Sequence, residues 1–428
     1  MKIYWKKGYC PQLIASRLES SANRSDSKVV SFDAIESDAC QSMLYSMLEF
    51  KPPYSIPEID ARRIIWKAAV EAGGKGKITK DSLLAEIKRL ANEHMGLPLE
   101  RYVLATSLSL SRSVSLPGNR IQLPGQERRI VIVFEPHLPR KYQEAAVPIT
   151  AQVKDVLSAR HLREFLSTRV HISARSIHEA AEEALDTLDL VRGIWNLFHN
   201  MPKFGGISYR NKPLINKPLP LNQIVLGPIH TLHRPDGELA SDRVYWYEPR
   251  YYGYGAIRAF KPSTAVITKM YSLFKYVRHA LTASEYSEDL KKAVIRYTRA
   301  LDEWDLYNAF LKLWSVLESL TRAEQDNYDV TIRRASFMFE DREYYRQILK
   351  HLRDWRNRFV HESAENDEIE NCVYQLKMFV EEAIRFHLTH RFTSLSKAWD
   401  FLDLPSNKNV LRSEIQLRKD ALKFLGHT

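Results

Sequence analysis

Between residue 264 and the last residue, 428, the chain carries one proline, Pro405, and one glycine, Gly426. All the rest of its 19 prolines and 15 glycines lie upstream. Proline breaks a helix interior and glycine weakens one. Tight hairpin turns, by contrast, draw on glycine. A stretch almost without either therefore runs as one helix after another and is poorly suited to antiparallel sheet. Apolar residues at helical period predict helices near 264–282, 286–302, 304–323, 331–338, 342–362 and 367–392. A final pair is predicted near 394–402 and 409–425. This reads as an all-α bundle over 264–393 followed by a helical tail over 394–428.

The breaker-rich part upstream mixes periods. Residues 1–35 are polar and Ser-rich, and helical spacing is expected at 36–49, 58–72 and 80–95. Gly73-Gly74 is the expected stop of the second helix, and Thr79 the start of the third, with Leu83, Leu84, Ile87 and Leu90 on one stripe. Strand patterns follow at 101–110 and 128–136, with Pro117-Gly118 and Pro124-Gly125 as turn signals between them. Residues 1–150 thus read as an α+β domain, a possible sensor. Residues 151–263 read as a basic, mixed middle region. A helix is expected at 151–168, a strand at 169–174 and an amphipathic helix at 176–200, with Ala180, Ala184, Leu188 and Val191 along one side. The fold class is α+β, with mixed helices and antiparallel strands first and helices last.

A chain of 428 residues, 44% hydrophobic and 27% charged, is long enough to bury a full core without metal or disulfide staples. No run of 18 apolar residues is present, and the first residues lack a continuous apolar segment. Neither a membrane span nor a signal peptide is expected. Cys10, Cys40 and Cys372 are odd in number and far apart, which argues against a Cys-rich zinc site or an oxidising compartment. The expectation is a cytoplasmic protein with no metal and no other cofactor. The formal charge is +11, and it is uneven. Residues 1–263 carry 37 basic and 27 acidic side chains, whereas 264–393 carry 20 and 21. The surplus that could attract nucleic acid lies outside the helical block, mostly in 101–263.

The chemistry-bearing segment is HLRDWRNRFVHES, residues 351–363. Leu352, Trp355 and Phe359 fall on one inward stripe. Asn357 and His361 are four apart and share a face. Arg356 lies about 140° round the helix from His361 at ~100° per residue, within reach of a long side chain. An Arg, an amide and an imidazole suit metal-independent RNA cleavage, in which the 2′-OH attacks the adjacent phosphate. A His titrates near neutrality and can take or give the proton. An Arg fork can hold the extra negative charge on phosphorus. One His does not easily serve as base and acid together, so two copies facing each other across a dimer are expected.

Arg356-Asn357-x-x-x-His361 resembles the signature of the HEPN superfamily, an Arg, a polar residue and a His separated by four to six positions. YNAFLKLWSVLESLTRAE (307–324) and AVIRYTRALDEWD (293–305) look like the two preceding helices of its ApeA-like group. The resemblance covers about 264–393. It implies a helical bundle, a homodimer or higher even oligomer, and an endoribonuclease of a bacterial antiphage, abortive-infection or toxin system. It carries catalytic roles onto Arg356, Asn357 and His361. Glu318 matches a frequent family Glu and is expected to be structural. The N-terminal region is then expected to regulate the nuclease by binding a phage-derived trigger. The alternative class is a non-catalytic module that binds nucleic acid or a partner and dimerises through its bundle.

Other constellations read as structural. Gly73-Gly74-Lys75-Gly76-Lys77 lacks the spacing of a phosphate loop and reads as a basic turn. VYWYEPRYYGY (244–254), with Arg250, offers stacking surfaces but reads first as a hairpin packed on the core. His230 with His233, and His161 with His171, lack acidic or Cys partners at ligand spacing. Glu86 and Lys88 sit on a predicted helix rather than on a nuclease strand.

Overall fold

The computed structural model describes residues 2–24, 30–32, 34–50, 56–124, 129–151, 164–200, 221–243, 257–323, 327–362, 368–405 and 407–426. The chain opens with β1 (Ile3–Trp5), α1 (Pro11–Ser21), β2 (Ala22–Arg24), β3 (Val30–Phe32), α2 (Ala34–Met47) and β4 (Leu48–Phe50). Then come α3 (Glu58–Lys75) and α4 (Lys80–Met95). Strands β1 and β4 pair antiparallel, as do β2 and β3. Ile14, Leu18, Leu44, Ile65, Leu83 and Ile87 fill a core of their own between these helices. Thr79 caps α4 through a reciprocal pair with Ser82, which satisfies two otherwise orphaned backbone donors. Helix α3 runs through the expected stop at Gly73-Gly74 and ends at Lys75. Gly76 makes the turn, with φ at +145°, a conformation that favours glycine. Lys75 donates to Glu86 at 2.6 Å, which settles the basic turn onto α4.

A second core begins with β5 (Glu100–Ser111), β6 (Arg120–Pro124), β7 (Arg129–Glu135), α5 (Arg140–Ala151), β8 (Phe165–Ala174), α6 (Ile177–Asn200) and β9 (Thr231–His233). The five strands form one antiparallel sheet in the order β6-β7-β8-β5-β9, with Val131, His171 and Val103 in one register row. Ile130, Ile132, Phe134, Val170 and Ile172 alternate onto the buried face. Helix α6 packs against β8 and β5, and Trp195 lies 5.6 Å from Phe134. The helix expected at 151–168 is a correction. A helix that the sequence did not announce runs over Arg140–Ala151, where Tyr142, Ala146 and Ile149 make a buried helical stripe despite Pro148. Phe165 to Thr168 are strand, buried on both faces, so no alternation marks them. Residues 152–163 lie outside the described residues.

The helical block follows: α7 (Thr264–Thr282), α8 (Ser287–Leu301), α9 (Leu306–Thr321), α10 (Tyr328–Phe337), α11 (Arg342–Glu362), α12 (Ile369–Thr389), α13 (Leu395–Leu402) and α14 (Lys408–Leu425). Ser263, Asp305, Asn327, Ser394 and Asn407 cap α7, α9, α10, α13 and α14 through their side chains. The buried apolar cluster runs without a break from Tyr102 in the sheet to Ile384 in α12. Helix α6 is the bridge, touching the sheet on one side and α7 and α8 on the other. At Gly193 a Cβ would lie 2.1 Å from the Thr298 hydroxyl, so α6 and α8 cross too closely for any other residue. No described helix is long and apolar enough to cross a membrane.

Candidate functional site

Helix α11 carries the Arg-Asn-His segment, and its apolar side fixes the orientation of its polar flank. Leu349, Leu352 and Trp355 are buried. Trp355 stacks on Tyr307 of α9, with centroids 5.6 Å apart and planes 15° apart, and meets Phe310 edge-on at 4.9 Å. Such packing leaves α11 little freedom to rotate. Arg356 and Asn357, the next two residues, are consequently held half-buried at the rim of the contact. Arg356 Nη1 donates to Asn357 Oδ1 at 3.3 Å, so the Arg side chain does reach round to the amide. His361 follows on the same helix, one turn beyond Asn357. The side chains of Phe359 and His361 lie outside the described residues.

Neighbouring charges have other duties. Arg353 pairs with Asp329 at 2.7 Å and with Asp354 at 2.8 Å. The Glu318 carboxylate accepts from Trp314 Nε1 at 2.8 Å and pairs with Arg322 at 3.0 Å, which braces the end of α9. That arrangement ties Glu318 to its own helix.

A larger polar constellation lies deeper, and no single stretch of sequence announced it. Arg192 of α6, 1% exposed, pairs with Asp189 at 2.6 Å and with Asp302, just past α8, at 2.5 Å. Asp302 also accepts from Asn222 at 2.7 Å, and Asp189 from Arg299 at 2.7 Å. Burial raises the Asp302 carboxyl, opposed by the Arg192 charge beside it. Farther along, Asn200 donates to Asn222, and Lys377 of α12 bonds the Asn200 carbonyl at 2.7 Å and Glu381 at 2.9 Å. Tyr297 donates to Glu381, and its burial and that carboxylate hold the phenol protonated. These groups clamp α6, α8 and α12 and the 221–224 segment together. The spacing Asp186, Asp189, Arg192 was readable as one face of a helix, but its partners were not.

Several histidines outside the motif are bound into the fold. His387 donates from Nε2 to the Leu320 carbonyl at 3.0 Å, so its Nδ1 accepts from Tyr286 at 2.9 Å. Burial pushes its pKa down to about 4. His230 shares a 2.6 Å hydrogen bond with Thr106, and burial pushes it down to about 3. His233 bonds Thr231 and the Gly237 carbonyl instead. The two rings thus have separate partners. His171, half-buried on β8, is lowered by burial and by Arg169. His161 and the aromatic stretch 244–254 lie outside the described residues. Among the basic residues of 101–263, Arg101, Arg120 and Arg129 are exposed on strands.

Comparison with known protein families, with curated proteins and with solved structures found no match.

Proposed function

We propose that the chain is a metal-independent endoribonuclease of the HEPN type, with Arg356, Asn357 and His361 as its catalytic residues. The observation that supports this best is the hydrogen-bonded Arg356–Asn357 pair on a helix clamped by the Trp355 stack, one turn before a histidine. On this reading Arg356 binds the phosphate at the cleavage point and holds its developing negative charge. Asn357 orients the guanidinium. His361 accepts the 2′-OH proton as that oxygen attacks phosphorus. The His361 of a second copy protonates the departing 5′-oxygen, so the working unit is a two-fold dimer. The exposed strand arginines of 101–263 supply long-range attraction for RNA. The N-terminal region regulates the nuclease within a bacterial antiphage or toxin system.

The test is the chemistry of the cut ends. Purified protein in EDTA should cleave RNA to fragments ending in 2′,3′-cyclic phosphate and 5′-hydroxyl. Fragments with 3′-hydroxyl ends, or cleavage that demands added Mg²⁺, would count against 2′-OH attack.

A further inference from the structure

Helix α14 buries none of its residues. Val410, Ile415, Leu417, Leu422, Phe424 and Leu425 are 46, 47, 70, 71, 73 and 66% exposed. An 18-residue amphipathic helix is marginal by itself and gains its stability by covering such a face. At ~100° per residue, positions 410, 414, 417, 421 and 424 form one row. Positions 411, 415, 418, 422 and 425 form the row beside it. Both rows step by four and three, the spacing of a seam between two helices.

Two charges stand in the middle of this apolar face, Glu414 and Arg418, and they choose the occupant. On a lipid surface both would sink into the acyl boundary, which is costly for ions. Against a second copy of the same helix they are matched. In an antiparallel pair centred on residue 416, Glu414 of one copy lies level with Arg418 of the other, twice by symmetry. The same alignment sets Val410 level with Leu422 and Ile415 level with Leu417. We propose that α14 is a self-association helix, pairing antiparallel with α14 of a second copy through the Glu414–Arg418 contacts. This rests on the exposure and charge pattern of α14 and stands apart from the ribonuclease reading.

The strip is roughly 27 Å long and 10 Å wide, since a helix rises ~1.5 Å per residue. That is smaller than the roughly 800 Å² per partner of a standard interface, so the dimer should be concentration-dependent. The experiment is sedimentation equilibrium of the full chain over a concentration series. The wild type should pass from monomer to dimer, and Leu417→Glu/Leu422→Glu should weaken that association by about tenfold or more. Glu414→Arg alone and Arg418→Glu alone should each weaken the dimer by about tenfold or more, since each sets like charges face to face. The combined exchange should restore it. The proposal fails if the wild type stays monomeric or if Leu417→Glu/Leu422→Glu associates as tightly as the wild type. It also fails if the charge exchange does not restore pairing, or if monomeric wild type co-sediments with phosphatidylserine vesicles through α14.

Discussion

Arg192 and Arg356 both sit on helix flanks in the same continuous fold, and they differ in what they can meet. Arg192 is 1% exposed and fork-bonded to Asp189 and Asp302. No ligand can reach it without unpacking α6 from α8. Arg356 is half-buried, bonds the neutral amide of Asn357, and stands at the edge of a rigid aromatic contact. The fold uses one arginine to hold helices together, and it holds the other in place with helices already packed. Buried pairing serves structure, and a polar group held at a rim is what the proposed chemistry needs.

That contrast breaks most sharply at Arg192. Arg192→Ala leaves Asp302 buried without its charge partner, while Asp189 keeps Arg299, at a cost of roughly 3–5 kcal/mol in stability. Denaturant melts should show it, and any RNA cleavage per folded molecule should stay near wild type. Trp355→Ala should erase the distinction, because the same ring stabilises α9 against α11 and aims the polar flank. It should lower stability by about 3–5 kcal/mol and cut cleavage as well. A smaller effect comes from pH. His387 is held neutral at a pKa of about 4, so below about pH 6.5 the unfolded chain binds its proton first. Stability from this group is complete above about 6.5 and is lost progressively toward 4, by roughly 3 kcal/mol in all. Melts in that window should weaken and should be insensitive to loss of Asn357.

The helical block was the most legible part, and particular residues explain why. With Pro405 and Gly426 as its only breakers, five of its helices start instead at polar caps such as Asp305, Asn327 and Ser394. The inward placing of Leu352 and Trp355 followed from spacing alone. The helix over Arg140–Ala151 was missed because Pro148 argues against a helix there. The start of β8 was missed because a strand covered on both faces shows no period of two. The Arg356–Asn357 contact was foreseeable from adjacency. The Trp355–Tyr307 stack and the Arg192 network were not, since each joins residues dozens of positions apart that only packing brings together.

The central claim, that the α11 flank and not the deep network carries the chemistry, meets its most direct test in RNA cleavage in EDTA by three proteins at equal folded concentration. Arg356→Ala and His361→Ala should each lower the rate by about 10³-fold or more against wild type while leaving the melting temperature unchanged. Cleavage that survives both substitutions at the wild-type rate would contradict it.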